Sequence, residues 1–63
     1  MMTVRDLRNA MCIRVGFKYF DKWTRDEINV NEMNRKEKFE FRNKRVYQIY
    51  PTDNECLMHV YVF

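Results

Sequence analysis

The C-terminal part of this chain leaves little freedom of fold. Val46-Tyr47-Gln48-Ile49-Tyr50 and Cys56-Leu57-Met58-His59-Val60-Tyr61-Val62-Phe63 are runs of strand formers, and Pro51-Thr52-Asp53-Asn54-Glu55 between them is dense in turn residues. That arrangement predicts a C-terminal β-hairpin. The terminal run is apolar on both sides, with Cys56, Met58, Val60 and Val62 on one and Leu57, His59, Tyr61 and Phe63 on the other. On the preceding run Tyr47 and Ile49 split between faces with Val46 and Tyr50. A solvated sheet face alternates to polar residues. Either the middle of the chain folds across the second face, or that face meets another protein.

The remaining elements follow from spacing. Thr3 and Asp6 approximate a capping box, and Val4, Leu7 and Met11 recur at helical intervals, so a short N-terminal helix is expected. From Cys12 to Tyr19 the residues Ile13, Val15, Phe17 and Tyr19 alternate with Arg14, Gly16 and Lys18, the period of a strand with one buried face. Asp21 to Asp26 reads as a polar turn containing Trp23, and Ile28 and Val30 suggest a weaker second strand paired back as a hairpin. Between Asn34 and Lys44, Phe39 and Phe41 alternate with Lys38, Glu40 and Arg42. In a helix those rings would point about 200° apart, so the pattern favours a short extended piece or an irregular turn. The expected fold is α+β over residues 1–63 as a single domain: an N-terminal helix packed on a four-stranded, mostly antiparallel sheet.

At 63 residues, with 46% apolar and 16% aromatic, the chain can build a core, though a marginal one that buries about 60% of its unfolded surface. The same few side chains can hardly also enclose a deep active-site pocket. The catalytic inventory is correspondingly thin. His59 is the single histidine, there is no serine, and Gly16 is the single glycine. A metal site wants three or four close ligands, and a phosphate loop wants several glycines. Cys56 and His59 lie three apart in a strand, which places them on opposite faces. Asp26 and Glu27 fall in a polar turn, where solvation is the default. No catalytic, cofactor-binding or metal-binding residue is expected, and the chain is not expected to be an enzyme.

Cys12 and Cys56 each sit in an apolar run, where a thiol behaves as a small hydrophobe. Sparse cysteine, no basic-then-apolar leader and no apolar run near 20 residues lead to the expectation of a reduced cytoplasmic protein with no membrane association. A Cys12–Cys56 bridge stays open if the first and last strands are neighbours.

Charge is local. Arg35, Lys36, Lys38, Arg42, Lys44 and Arg45 face only Glu37 and Glu40 in the same stretch, so it carries six positive minus two negative, or +4, within a whole-chain net of +3. These cations interleave with Phe39 and Phe41, a combination that can hold phosphate and stack bases, or simply form a solvated charged face.

Thr3-Val4-Arg5-Asp6-Leu7, the apolar strand after it, Phe39-Glu40-Phe41-Arg42-Asn43-Lys44-Arg45-Val46, the acidic turn Asp53-Asn54-Glu55 and the closing strand Leu57 to Val62 resemble small uncharacterised phage and prophage proteins of bacteria. The resemblance implies one helix on a small antiparallel sheet, a helical turn near Arg35 to Arg42, and a phage context in the cytoplasm of an infected or lysogenic host. It implies no catalytic residue.

Two candidate partner-binding surfaces result. One is the basic cluster Arg35, Lys36, Lys38, Arg42, Lys44 and Arg45; the other is the apolar and aromatic set Trp23, Tyr47, Leu57, His59, Tyr61 and Phe63. The expected role is an interaction module that binds and modulates a host protein or ribonucleoprotein, an anti-defence or anti-CRISPR inhibitor being one form. The alternatives are a small basic nucleic-acid-binding module, with RNA or DNA on the basic cluster, and a structural homo-oligomer such as a homodimer.

Overall fold

A computed structural model describes residues 2–10 and 14–63. Met11, Cys12 and Ile13, and with them the Cys12–Cys56 pairing, lie outside the described residues. The elements in chain order are α1 (Val4–Ala10), β1 (Gly16–Asp21), β2 (Glu27–Ile28), a single 3-10 turn (Val30–Glu32), α2 (Arg35–Arg42), β3 (Val46–Pro51) and β4 (Leu57–Val62). The α+β class, the N-terminal helix, the four strands and the C-terminal hairpin are all present.

The sheet order is β2-β1-β4-β3. Both outer pairings are antiparallel, while the central β1–β4 pairing is parallel, with Tyr19 opposite Val60 and Phe20 opposite Tyr61. The doubly apolar strand read from the sequence is therefore a central strand. First and last strands are neighbours, and the Gly16 amide donates to the Cys56 carbonyl at 2.6 Å. Cys56 itself, expected within the terminal strand, sits exposed in the turn before it. Its amide donates to Asn54 Oδ1 at 2.9 Å, and the Thr52 hydroxyl donates across the turn to the Leu57 carbonyl at 2.8 Å. These local side-chain bonds delay the strand by one residue.

Helix α1 begins as its sequence requires. The Thr3 amide donates to Asp6 Oδ2 at 3.0 Å and the Asp6 amide to Thr3 Oγ1 at 3.2 Å, a reciprocal box that satisfies two amides at the helix start. The stretch Asn34 to Lys44 departs from the expectation of an extended or irregular piece, because residues 35–42 are helical. The deciding signal is a second capping box: the Glu37 amide donates to Asn34 Oδ1 at 2.8 Å and the Asn34 amide to Glu37 Oε1 at 3.2 Å. Such a cap contributes about 1 kcal/mol. The two rings do point apart, as the helical period demands. Phe41 is 3% exposed and Phe39 58% exposed, with the Arg5 guanidinium over the Phe39 ring at 5.6 Å. One buried ring is enough to dock so short a helix.

The second strand is shorter than expected. It pairs as a hairpin with β1 only through Glu27 and Ile28. Val30 then enters a 3-10 turn in which Asn29 accepts a hydrogen bond from the Asn31 amide at 3.2 Å. An asparagine side chain competing for backbone amides ends the ladder. Similarly, β1 starts at Gly16, later than the alternation predicted, and extends to Asp21.

Both helices lie on one face. The core joins Val4 and Leu7 of α1, Phe41 of α2, Tyr19 of β1, and Val60 and Val62 of β4, with Phe17, Ile28, Val30, Met33, Val46 and Ile49 packed around it. Tyr19 and Phe41 meet edge to face at 4.9 Å between ring centroids, an arrangement that adds about 1 kcal/mol beyond the area buried. Between Val46 and Gln48 a bulge inserts one residue into β3. It lets Val46 and Ile49 both reach the core despite their odd spacing, and it sends Tyr47 and Gln48 to the other face. The expected placement of Tyr47 with Ile49 on one face and Val46 with Tyr50 on the other is thereby corrected.

Candidate functional site: the open face of the sheet

The middle segment does not fold across the second sheet face. Because α2 packs beside α1, the opposite face carries no layer among the described residues. Strand parity and register assign to it Lys18 and Phe20 of β1, Glu27 of β2, Leu57, His59 and Tyr61 of β4, and Gln48 and Tyr50 of β3. Its centre is a row of rings crossing three strands. Phe20 stacks on Tyr61 at 5.2 Å and 22° between planes, lies 5.0 Å from the His59 ring, and Tyr50 meets Tyr61 edge-on at 5.3 Å.

One end of this row is closed by the β1–β2 turn. Asp21 Oδ1 accepts the Trp23 and Thr24 amides at 2.7 and 3.0 Å. Those amides hold the Asp21 carboxyl below its usual pKa, Thr24 contributing most. The turn closes with Arg25 at φ 64°, a left-handed conformation that side chains other than glycine seldom adopt. It brings Lys22 against three rings, with Nζ 4.6 Å from the Trp23 centroid, 4.2 Å from Tyr47 and 4.6 Å from Phe63. Tyr47 and Phe63 are themselves in edge contact at 5.6 Å. The ring faces attract the ammonium electrostatically, and the lysine stem fills the space among them. Beside it lies a cleft of about 460 Å³ lined by Lys22, Arg25, Tyr47, Tyr50, His59 and Tyr61. No carboxylate lines it. The ion pair seen on this face, Lys18 with Glu27 at 4.0 Å, lies on β1 and β2.

Of the apolar and aromatic set expected from the sequence, all but Leu57 fall into two clusters. Trp23, Tyr47 and Phe63 surround Lys22, His59 and Tyr61 belong to the ring row, and Leu57 stands at the far end opposite Gly16. The basic set is elsewhere. Arg35, Lys36, Lys38 and Arg42 are on α2, in the layer on the other side of the sheet, while Lys44 and Arg45 connect α2 to β3. Phe20, Lys22, Arg25 and Tyr50 were not singled out by sequence. Phe20 could have been found by extending the β1 alternation one residue, which puts it opposite Tyr19. The Lys22 cluster could not, since it joins a turn, a bulge and the residue that follows β4.

A second cleft of about 620 Å³ runs along β1 and β2, lined by Arg8, Lys18, Glu27, Asn29 and Asn31 among mainly apolar neighbours. It gathers no nucleophile with a base. Among the described residues, no group of three or more His, Cys, Asp or Glu side chains is placed to hold a metal ion, and no helix is long and apolar enough to cross a membrane. Searches of protein families, curated proteins and solved structures return no match to this chain.

Proposed function

We propose that this protein is a recognition module without chemistry of its own, and that the open sheet face is the surface with which it binds a macromolecular partner. The uncovered row Phe20, His59, Tyr61 and Tyr50, rimmed by Lys18, Lys22 and Arg25, carries this reading. Folding leaves rings on a face where water would favour polar residues, and a contiguous exposed apolar patch is characteristic of an interaction site. Aromatic anchors inside a polar rim match the anatomy of interfaces in general. In the phage context that the sequence resemblance implies, the partner is a host macromolecule, and inhibition of a host defence complex is one form of the activity.

Capture from bacterial lysate tests the assignment of the face. The paired change Phe20→Ala with Tyr61→Ala is expected to abolish retention of the partner, and Lys38→Glu with Arg42→Glu on α2 to leave it intact. The reverse pattern would move the binding surface to the helical layer and end this reading.

A further inference from the structure

We infer that the occupant of the open face is single-stranded nucleic acid, with a backbone phosphate seated in the cleft between Lys22 and Arg25 and bases stacked on the neighbouring rings. The inference rests on the reading of that face as the recognition surface and names its ligand.

The charge pattern is the first argument. Lys18, Lys22 and Arg25 stand at the face; Glu27 beside them is paired with Lys18 at 4.0 Å, the Asp21 carboxylate of the turn is taken up by the Trp23 and Thr24 amides, and no carboxylate lines the cleft that Lys22 and Arg25 share. Lys22 is half-buried, with its ammonium 4.2–4.6 Å from three ring centroids, and rings stabilise a cation without neutralising it. Arg25 lines the same cleft, as do the side chains of Tyr47, Tyr50, Tyr61 and His59. Two cations with phenol hydroxyls that can donate, and no acceptor carboxylate in the lining, form a receptor for an oxyanion.

Ring placement is the second argument. Phe20, Tyr61 and Tyr50 follow one another across adjacent strands next to that cleft, so a strand lying across the sheet could set a phosphate at the cations and its bases at the rings. Aromatic platforms beside a cationic track are how unpaired strands are held with little sequence preference, because every base has a π face. A duplex keeps its bases stacked inside and cannot use the rings. An acidic polypeptide would satisfy the cations but leave the ring row without a planar partner. The cluster on α2 is not required.

The test is a fluorescence-anisotropy titration with a labelled single strand of roughly 10 nucleotides, of the order of one site. The matching duplex and polyglutamate serve as competitors. Two to three phosphate contacts predict a log–log salt slope of about −1.4 to −2.1, hence roughly a tenfold loss of affinity between about 50 and 200 mM salt. Lys22→Met, which keeps an apolar stem among the rings, and Arg25→Gly should each flatten the slope by about 0.7. Tyr61→Ala should weaken binding about tenfold with the slope unchanged. Arg25→Gly is compatible with the left-handed backbone, so the cation test survives even if Lys22→Met fails to fold. Absence of single-strand binding, a salt-insensitive affinity, or equal competition by duplex or polyglutamate would overturn the inference. Face-dependent capture from nuclease-treated lysate, together with no oligonucleotide binding, would replace nucleic acid by protein while leaving the face assignment standing.

Discussion

Arg25 combines a conformational cost with a charge at the edge of the cleft. Its φ of 64° places a long side chain where the β-carbon crowds the following carbonyl, at about 1–2 kcal/mol. Backbone held in such a region is often found where geometry serves binding. Arg25→Gly removes the crowding and gives back part of the gain as unfolded-state entropy, so the net expectation is a stabilisation of about 1 kcal/mol. Urea unfolding measures it. If stability rises while oligonucleotide affinity falls, the residue is retained for its guanidinium and against fold stability. A fall in stability would mean that the turn depends on the arginine itself. Nothing in the sequence marked this position, because arginine is not a residue type that favours the left-handed region and the surrounding turn imposes it here.

At the level of elements, short helices and tight turns in this protein depend on side chains that bind backbone amides. Asp6 at the start of α1 is held below its ordinary pKa first by the Thr3 amide and then by the Thr3 hydroxyl. Asp21 is held down by the Thr24 and Trp23 amides. A carboxyl whose folded pKa is depressed contributes stability that is fully present above its unfolded value, about 4, and is lost as pH falls through the folded value. Acidification below about pH 4 is therefore expected to loosen the α1 start and the β1–β2 turn before the sheet. Carboxyl carbon NMR titration, with amide exchange at Trp23 and Thr24, reads this. Uniform loosening of the whole chain would show that these caps carry no local weight. The α1 cap was legible from Thr3 and Asp6, and the C-terminal hairpin from its turn residues. The α2 cap was written equally plainly in Asn34 and Glu37, but alternation of two phenylalanines obscured it. A period of two over four residues cannot be told from a helix that buries one ring and exposes the next.

On the scale of the whole molecule, a one-sided helical layer gives the sheet two different chemistries along a single strand. Val60 is fully buried beneath the helices, and Tyr61, its neighbour, points to the open face. Val60→Asn leaves a polar group in the core and should cost about 4 kcal/mol, comparable with the entire stability of a domain this size, roughly 3–9 kcal/mol. Tyr61→Asn loses only its ring contacts with Phe20 and Tyr50, about 1–2 kcal/mol. Thermal unfolding of the two variants compares them directly. Similar losses would mean that the second face is covered after all.

What the sequence determined by itself was everything encoded in near neighbours: the α1 cap, the alternation of β1, the terminal hairpin, and a β4 apolar on both faces. Tertiary structure alone decided which side of the sheet α2 would occupy, that β1 and β4 would run parallel, and that Lys22 would meet Trp23, Tyr47 and Phe63. Apolar periodicity states that a face must be covered but not by what. That choice depends on the competing burial of Phe41 and on a bulge that turns Tyr47 outward, and both are settled only when distant segments pack together.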